Sequence, residues 1–226
     1  MIPGGIALGL FLFVGINIAL AARNALTVAQ YWRDKANEPV APHAIHLVAL
    51  GDSTMQAIGA AHPGDGIAGR VAGYLQARTG RPVHVVNVSS GGATVREILD
   101  RQIPQVDLKQ ADLILLSTAS DLESRSPLES YMANLHTLLR LLPPEKTVFS
   151  DFPLEPGRRP YQAVFQQAVD ERGVQRADFA KVFNGEGRRL DIFSWLLPHL
   201  NSKGYFYWFR AFQPAVDRVL DLQKSE

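Results

Sequence analysis

From Ala44 onward the chain alternates short apolar runs of strand length with longer stretches of helical periodicity, and this rhythm constrains the fold more than any other feature. His46–Leu50, Val83–Val88, Asp112–Ser117, Thr147–Asp151 and Val174–Phe179 read as strands. Between them Ile67–Arg78, Val95–Gln102, Leu128–Leu142 and Tyr161–Arg172 read as amphipathic helices. A last helix is expected over Lys203–Leu222, broken or kinked near Pro214. Continuous apolar runs mark strands covered on both faces, and parallel strands need helical crossovers to return the chain. The pattern therefore predicts a three-layer α/β/α sandwich around a central, mainly five-stranded parallel sheet, flavodoxin-like in its layering.

The N-terminus follows a different logic. Ile2–Ala22 carries no charge, and Asn17 is its one strongly polar side chain. A run of that length matches the ~20 residues a helix needs to cross the hydrocarbon of a bilayer, so it predicts a single transmembrane anchor. No basic residue precedes the run, as a secretory leader would require, although Ala19-Leu20-Ala21 has the small-residue spacing of a cleavage site. Arg23, Arg33 and Lys35 follow it, and by the positive-inside rule they put the body of the protein on the cytoplasmic side. Asn24–Ala36 reads as a helical stalk and Asn37–Pro42 as a linker. The expected organisation is an anchor over 1–22, stalk and linker over 23–43, and a catalytic domain over 44–226.

The totals narrow the function classes. A formal net charge of +1 over 226 residues offers no nucleic-acid footprint. With no cysteine there is no disulfide, thiolate nucleophile or cysteine-bound zinc. His43, His46, His62, His84 and His136 are explained as linker, strand, loop and helix residues, and form no metal-ligand pattern. The expected site holds neither metal nor cofactor.

Chemistry concentrates where strands end, because ligands of open parallel sheets bind beyond the carboxyl ends. The first strand runs into Gly51-Asp52-Ser53-Thr54, which places a hydroxyl at such an end. Alone, a serine at a strand end is more often a helix cap or turn residue than a nucleophile. The second strand is followed by Asn87-Val88-Ser89-Ser90-Gly91-Gly92-Ala93-Thr94, where a glycine amide can point at a developing oxyanion or simply form a turn capped by Thr94. Thr118-Ala119-Ser120-Asp121 follows the third strand, and Pro198-His199-Leu200-Asn201-Ser202-Lys203-Gly204-Tyr205 precedes the last helix. A late loop histidine is well placed to reach back to Ser53 as its base.

Taken together and in this order, the blocks resemble those of the SGNH (GDSL-like) hydrolases over roughly Ile45–Val216. Gly51, Asp52 and Ser53 match the first block, while Asn87, Gly92 and Thr94 match the second. His199, Asn201, Gly204, Tyr205 and Trp208 are similar to the family's H-P-N-x-x-G-Y-x-x-W. The resemblance implies a serine esterase of carboxylesterase, lipase or acetylesterase type, with Ser53 as nucleophile, His199 as base and Gly92 as oxyanion donor. Asp52, Ser120 and Asp121 complete the expected oxyanion and substrate-binding set. Two blocks depart from the pattern: Thr118 and Ser120 stand where the family has glycine and asparagine, and Leu196 stands where it has the aspartate three residues before the histidine. Loss of one oxyanion donor costs ~10² to 10³ in rate, and an unoriented histidine ~10⁴. Asp191 is the nearest carboxylate that could orient His199 instead; a main-chain carbonyl is the other means. Two alternatives follow: a degenerate domain that binds a ligand or partner at the membrane without turnover, and an unrelated flavodoxin-like domain in which Ser53 and His199 never meet. Expected partners are a small-molecule, lipid or acylated-glycan ester and, through the N-terminal helix, a membrane. Ala57–Gly66, Leu122–Pro127 and Leu154–Pro160 are expected to rim the cleft.

Overall fold

A computed structural model describes residues 22–124, 126–152, 159–185, 190–195 and 199–224. Five strands form one parallel sheet: β1 (Ile45–Gly51), β2 (Val83–Asn87), β3 (Leu113–Ser117), β4 (Thr147–Ser150) and β5 (Gln175–Ala177). They lie in the order β2-β1-β3-β4-β5. β1, β3 and β4, in the middle of the sheet, are rich in the buried apolar residues that suit strands covered on both faces.

Alternate residues of the central strands β1, β3 and β4 feed opposite cores. On one side Leu47, Ala49, Leu113, Leu115, Val148 and Ala177 pack under a helix over residues 22–36 (α1), α3 (Ile67–Thr79), α8 (Phe179–Gly185) and α9 (Ser202–Lys224). On the other, Val48, Leu50, Ile114, Leu116 and Phe149 meet α4 (Val95–Glu97), α6 (Leu128–Leu141) and α7 (Arg159–Arg172). The three layers and the five parallel strands are those expected from the sequence rhythm. Two short helices, α2 (Ser53–Gln56) and α5 (Ser120–Glu123), open directly after β1 and β3.

Three local expectations need correction. The helix expected over Val95–Gln102 is α4 only to Glu97, then widens into a π-helical turn over Ile98–Gln102. Residue Phe179, expected at the end of the fifth strand, instead opens α8. And α9 does not break at Pro214: the helix runs through it, with Pro214 exposed and Ala211, Phe212, Ala215, Val216 and Val219 buried around it. Tertiary burial of that apolar face outweighs the local cost of the proline.

Residues 22–36 form α1, whose Val28 and Trp32 are buried in the same core as Met55, Ala57 and Ile58. Trp32 Nε1 donates to the carbonyl of Gln56 at 2.9 Å. Among the described residues no helix is long and apolar enough to cross a membrane. The run expected to span one, residues 2–22, lies outside the described residues but for its last.

Candidate active site

The chain leaves β1 for β2 on one flank and later returns to β3 on the other, so the carboxyl end of β1 is the switch point of the sheet. Asp52 caps α2 there and Ser53 is its first residue. One carboxylate does the tethering: Asp52 Oδ1 accepts from the amide and hydroxyl of Thr54, at 2.9 and 2.7 Å. Its Oδ2 accepts from the Ala119 amide at 2.7 Å and from Ser120 Oγ at 3.0 Å. Buried to 2% exposure, Asp52 thereby joins the end of β1 to the end of β3.

His199 arrives from the far end of the sequence. Its imidazole Nε2 stands 3.1 Å from Ser53 Oγ, across 146 residues of chain. The loop that carries it is stitched closed: Phe193 and Leu200 form an antiparallel bridge, and the Ser194 amide donates to the His199 carbonyl at 2.9 Å. Asn201 secures both sides of the junction. Its Nδ2 donates to the carbonyls of Asp191 and Phe193, while its Oδ1 accepts from the amides of Lys203 and Gly204 at the start of α9. Further along α9, Tyr205 donates to the Ile58 carbonyl at 2.8 Å and Trp208 to Ser150 Oγ at 2.7 Å. Tyr205 thus ties the start of α9 to the segment just after α2, and Trp208 ties the same helix to the end of β4.

The turn after β2 presents Gly92 at φ +75°, a left-handed conformation that disfavours any side chain. Gly92 is exposed, and Thr94 next to it closes a capping box with Glu97. Thr118 donates to the Ala93 carbonyl at 2.7 Å, so the threonine at the family's glycine position fastens this turn. Asp121 Oδ2 accepts from the Val95 amide at 2.6 Å. Burial pushes the Asp121 carboxyl above its ordinary value, against the pull of that amide.

Asp191 Oδ2 is paired with Lys203 Nζ at 2.5 Å on the exposed side of the loop. Leu196 and residues 197–198 lie outside the described residues, as do 154–158 of the expected rim. One contributor went unread in the sequence: Gln102, buried at the end of the π-turn, whose side-chain amide pairs with both N–H and C=O of Gly51 at 2.8 Å. A glutamine within an otherwise amphipathic stretch is the only signal that pointed to it.

The chain's residues 49–206 match the model of the GDSL-like lipase/acylhydrolase family. The chain belongs to that family. Structures with the same fold include TesA, at 16% identity and a TM-score of 0.66, covering 77% of this chain and 99% of that one. The acetylxylan esterase Axe2 from Geobacillus stearothermophilus is 22% identical, with a TM-score of 0.62 over 78% of this chain and 96% of its own. The esterase EstA from Pseudoalteromonas sp., inhibited by monoethylphosphonate, is 16% identical with a TM-score of 0.64, covering 78% and 98%. No curated protein matches the sequence. As a GDSL-like hydrolase, the chain is an enzyme that cleaves ester bonds.

Proposed function

We propose that Ser53 is the nucleophile of a serine esterase, that His199 is its base, and that the amides of Gly92 and Ser53 hold the oxyanion. The reading rests above all on the 3.1 Å contact between His199 Nε2 and Ser53 Oγ, which a hydroxyl must have to lose its proton on attack. As Ser53 Oγ bonds to the ester carbon, its proton passes to Nε2 and the carbonyl oxygen becomes the anion. Collapse of the tetrahedral intermediate expels the alkoxide, which takes the proton from His199. Water, deprotonated by the same imidazole, then releases the acid and frees Ser53.

Asp52, Ser120 and Asp121 serve this site from behind. Asp52 positions the turn that carries Ser53, Ser120 spends its proton on Asp52, and Asp121 anchors the amide of Val95 beyond the Gly92 turn. For Asp191 the proposed role is to steady the His199 loop from its outer side, through Lys203 and through its carbonyl bond with Asn201. Its substrates are carboxylic esters of lipid, acylated-glycan or small-molecule origin, reached from a membrane that residues 1–22 enter.

A serine-reactive fluorophosphonate and a panel of short-chain acyl esters, lysophospholipids and acetylated glycans test the reading together. The parent chain is expected to be labelled and to turn over at least one ester, and Ser53→Ala to do neither. Retention of parental hydrolysis by Ser53→Ala would remove the nucleophile assignment. The second reading, a binding domain without turnover, draws on the hydrogen bond that commits the Ser120 hydroxyl to Asp52. Failure of the wild-type serine to react with the probe would favour it.

A further inference from the structure

The start of α1 lies against the catalytic loop. Asn24 Oδ1 accepts from the amide of Gly59 at 3.5 Å. Gly59, at φ +90°, is itself pressed onto the histidine loop: a β-carbon there would stand 3.0 Å from His199 Cβ and 2.7 Å from Ser194 Oγ. Only glycine permits this approach, so one residue links the first turn of α1 to the base of the proposed reaction. The uncharged run ends at Ala22, two residues before Asn24.

The exposed side chains on the two partners of this junction, α1 and the histidine loop, suit an interface with lipid. Leu26, in the first turns of α1, is 70% exposed, and Arg23 beside it is exposed as well. Trp195 follows Ser194 on the arm opposite His199 and is 59% exposed. An arginine and an exposed leucine just past an apolar run, with an exposed tryptophan on the histidine loop, are what a headgroup region accommodates: apolar side chains enter, the indole lies at the boundary and the cation meets phosphate.

We infer that the catalytic mouth faces the bilayer entered by the N-terminal run, with Trp195 seated in the lipid interface beside His199. This rests on the anchored-esterase reading and adds to it where the ester comes from: an amphiphile resident in the membrane, presented to Ser53 from the lipid side. Water-soluble esters then reach the site only around the rim.

Trp195 reports on this directly, because the other two tryptophans, Trp32 and Trp208, are each 3% exposed. The full chain is reconstituted into phosphatidylcholine vesicles with and without bromine on the acyl chains, and its fluorescence is compared with that of Trp195→Phe. The difference between the two proteins is the Trp195 signal. The expected result is loss of most of that signal in brominated vesicles, a blue shift in plain ones, and shielding from aqueous iodide. A chain that floats with the vesicles while Trp195 stays open to iodide and untouched by bromine overturns the inference and leaves the anchor standing. A chain that does not float overturns both. Hydrolysis of 4-nitrophenyl acetate by the same preparation reads the esterase assignment separately, since the fluorescence needs no turnover.

Discussion

Asp52 carries four hydrogen bonds on one buried carboxylate, and the weakest in geometry comes from Ser120, at 3.0 Å. A hydroxyl has one proton to give, so while it is given to Asp52 it is not given to an oxyanion. Ser120→Ala is therefore expected to lower stability by ~1 to 3 kcal/mol, the worth of a hydrogen bond to a charged group, and to change kcat by less than about threefold. Urea unfolding and steady-state kinetics on one soluble ester measure both. A drop in kcat of ~10² or more would place Ser120 in the oxyanion hole. Asp151 makes a different residue-scale case. It is buried at the end of β4, where Oδ1 accepts from the Ala180 amide at 2.9 Å and Oδ2 from Gln162 at 3.3 Å. Desolvation raises its carboxyl from 3.8 to about 6, with the nearby charge of Asp178 adding to the rise and the amides of Ala180 and Phe179 opposing it. The folded state then holds this proton more tightly than the unfolded chain, so stability falls as pH rises between about 4 and about 6. Asp151→Asn keeps an acceptor for Ala180 without the buried charge. It is expected to flatten that slope and to stabilise the protein at pH 7 by ~1 to 3 kcal/mol. Equal pH dependence of Tm in the two proteins would show that the slope has another source.

At the scale of elements, the π-turn over Ile98–Gln102 decides where a buried amide can reach. An extra residue in that turn lets Gln102 meet the end of β1 and bind Gly51 on both its N–H and its C=O. Gln102→Leu preserves bulk but leaves the Gly51 N–H without that acceptor. The expected loss is ~1 to 3 kcal/mol in urea unfolding, with a fall in kcat, because Gly51 stands two residues before Ser53. Unchanged kcat alongside the stability loss would mean that the Ser53 turn is held by Asp52 alone. This element also marks the limit of what a sequence displays. The central strands β1, β3 and β4 were legible because each is a run of mostly apolar, buried residues, whereas β5, Gln175–Ala177, holds no such run; the blocks carrying Ser53, Gly92 and His199 stood out because they come in the family's order. The π-turn was not, since apolar periodicity near 100° per residue cannot separate α from π over five residues. Nor could spacing foresee that Ser120 turns to Asp52, that Asp191 meets Lys203, or that Thr118 fastens the Gly92 turn. Those outcomes depend on which side chains tertiary contact brings within 3 Å. Pro214 taught the same lesson in reverse, as a local breaker overridden by the buried face around it.

For the molecule as a whole, the question is where the catalytic body begins. The sequence draws that boundary at residue 44, with residues 23–43 as stalk and linker. Yet Val28 and Trp32 of α1 are buried with Met55, Ala57 and Ile58, and the Trp32 indole donates to Gln56, the last residue of the helix that starts at Ser53. Removing a fully buried tryptophan costs ~3 to 5 kcal/mol and a buried valine adds to it, against a total stability of ~5 to 15 kcal/mol for an ordinary domain. Two truncations separate the possibilities. A chain starting at residue 23 keeps both side chains, so it is expected to be released from membranes with its Tm and its turnover of a soluble ester close to those of the full protein. A chain starting at residue 44 loses them and uncovers the back of α2; it is expected to melt at least about 10 °C lower or to aggregate, and to lose most of its activity as the Ser53 turn loosens. Trp32→Ala in the full chain is the gentler version, with a smaller fall of the same sign. Should both truncated chains melt together and hydrolyse equally, α1 would be a passenger on the domain surface, and the boundary at residue 44 would stand where the sequence drew it.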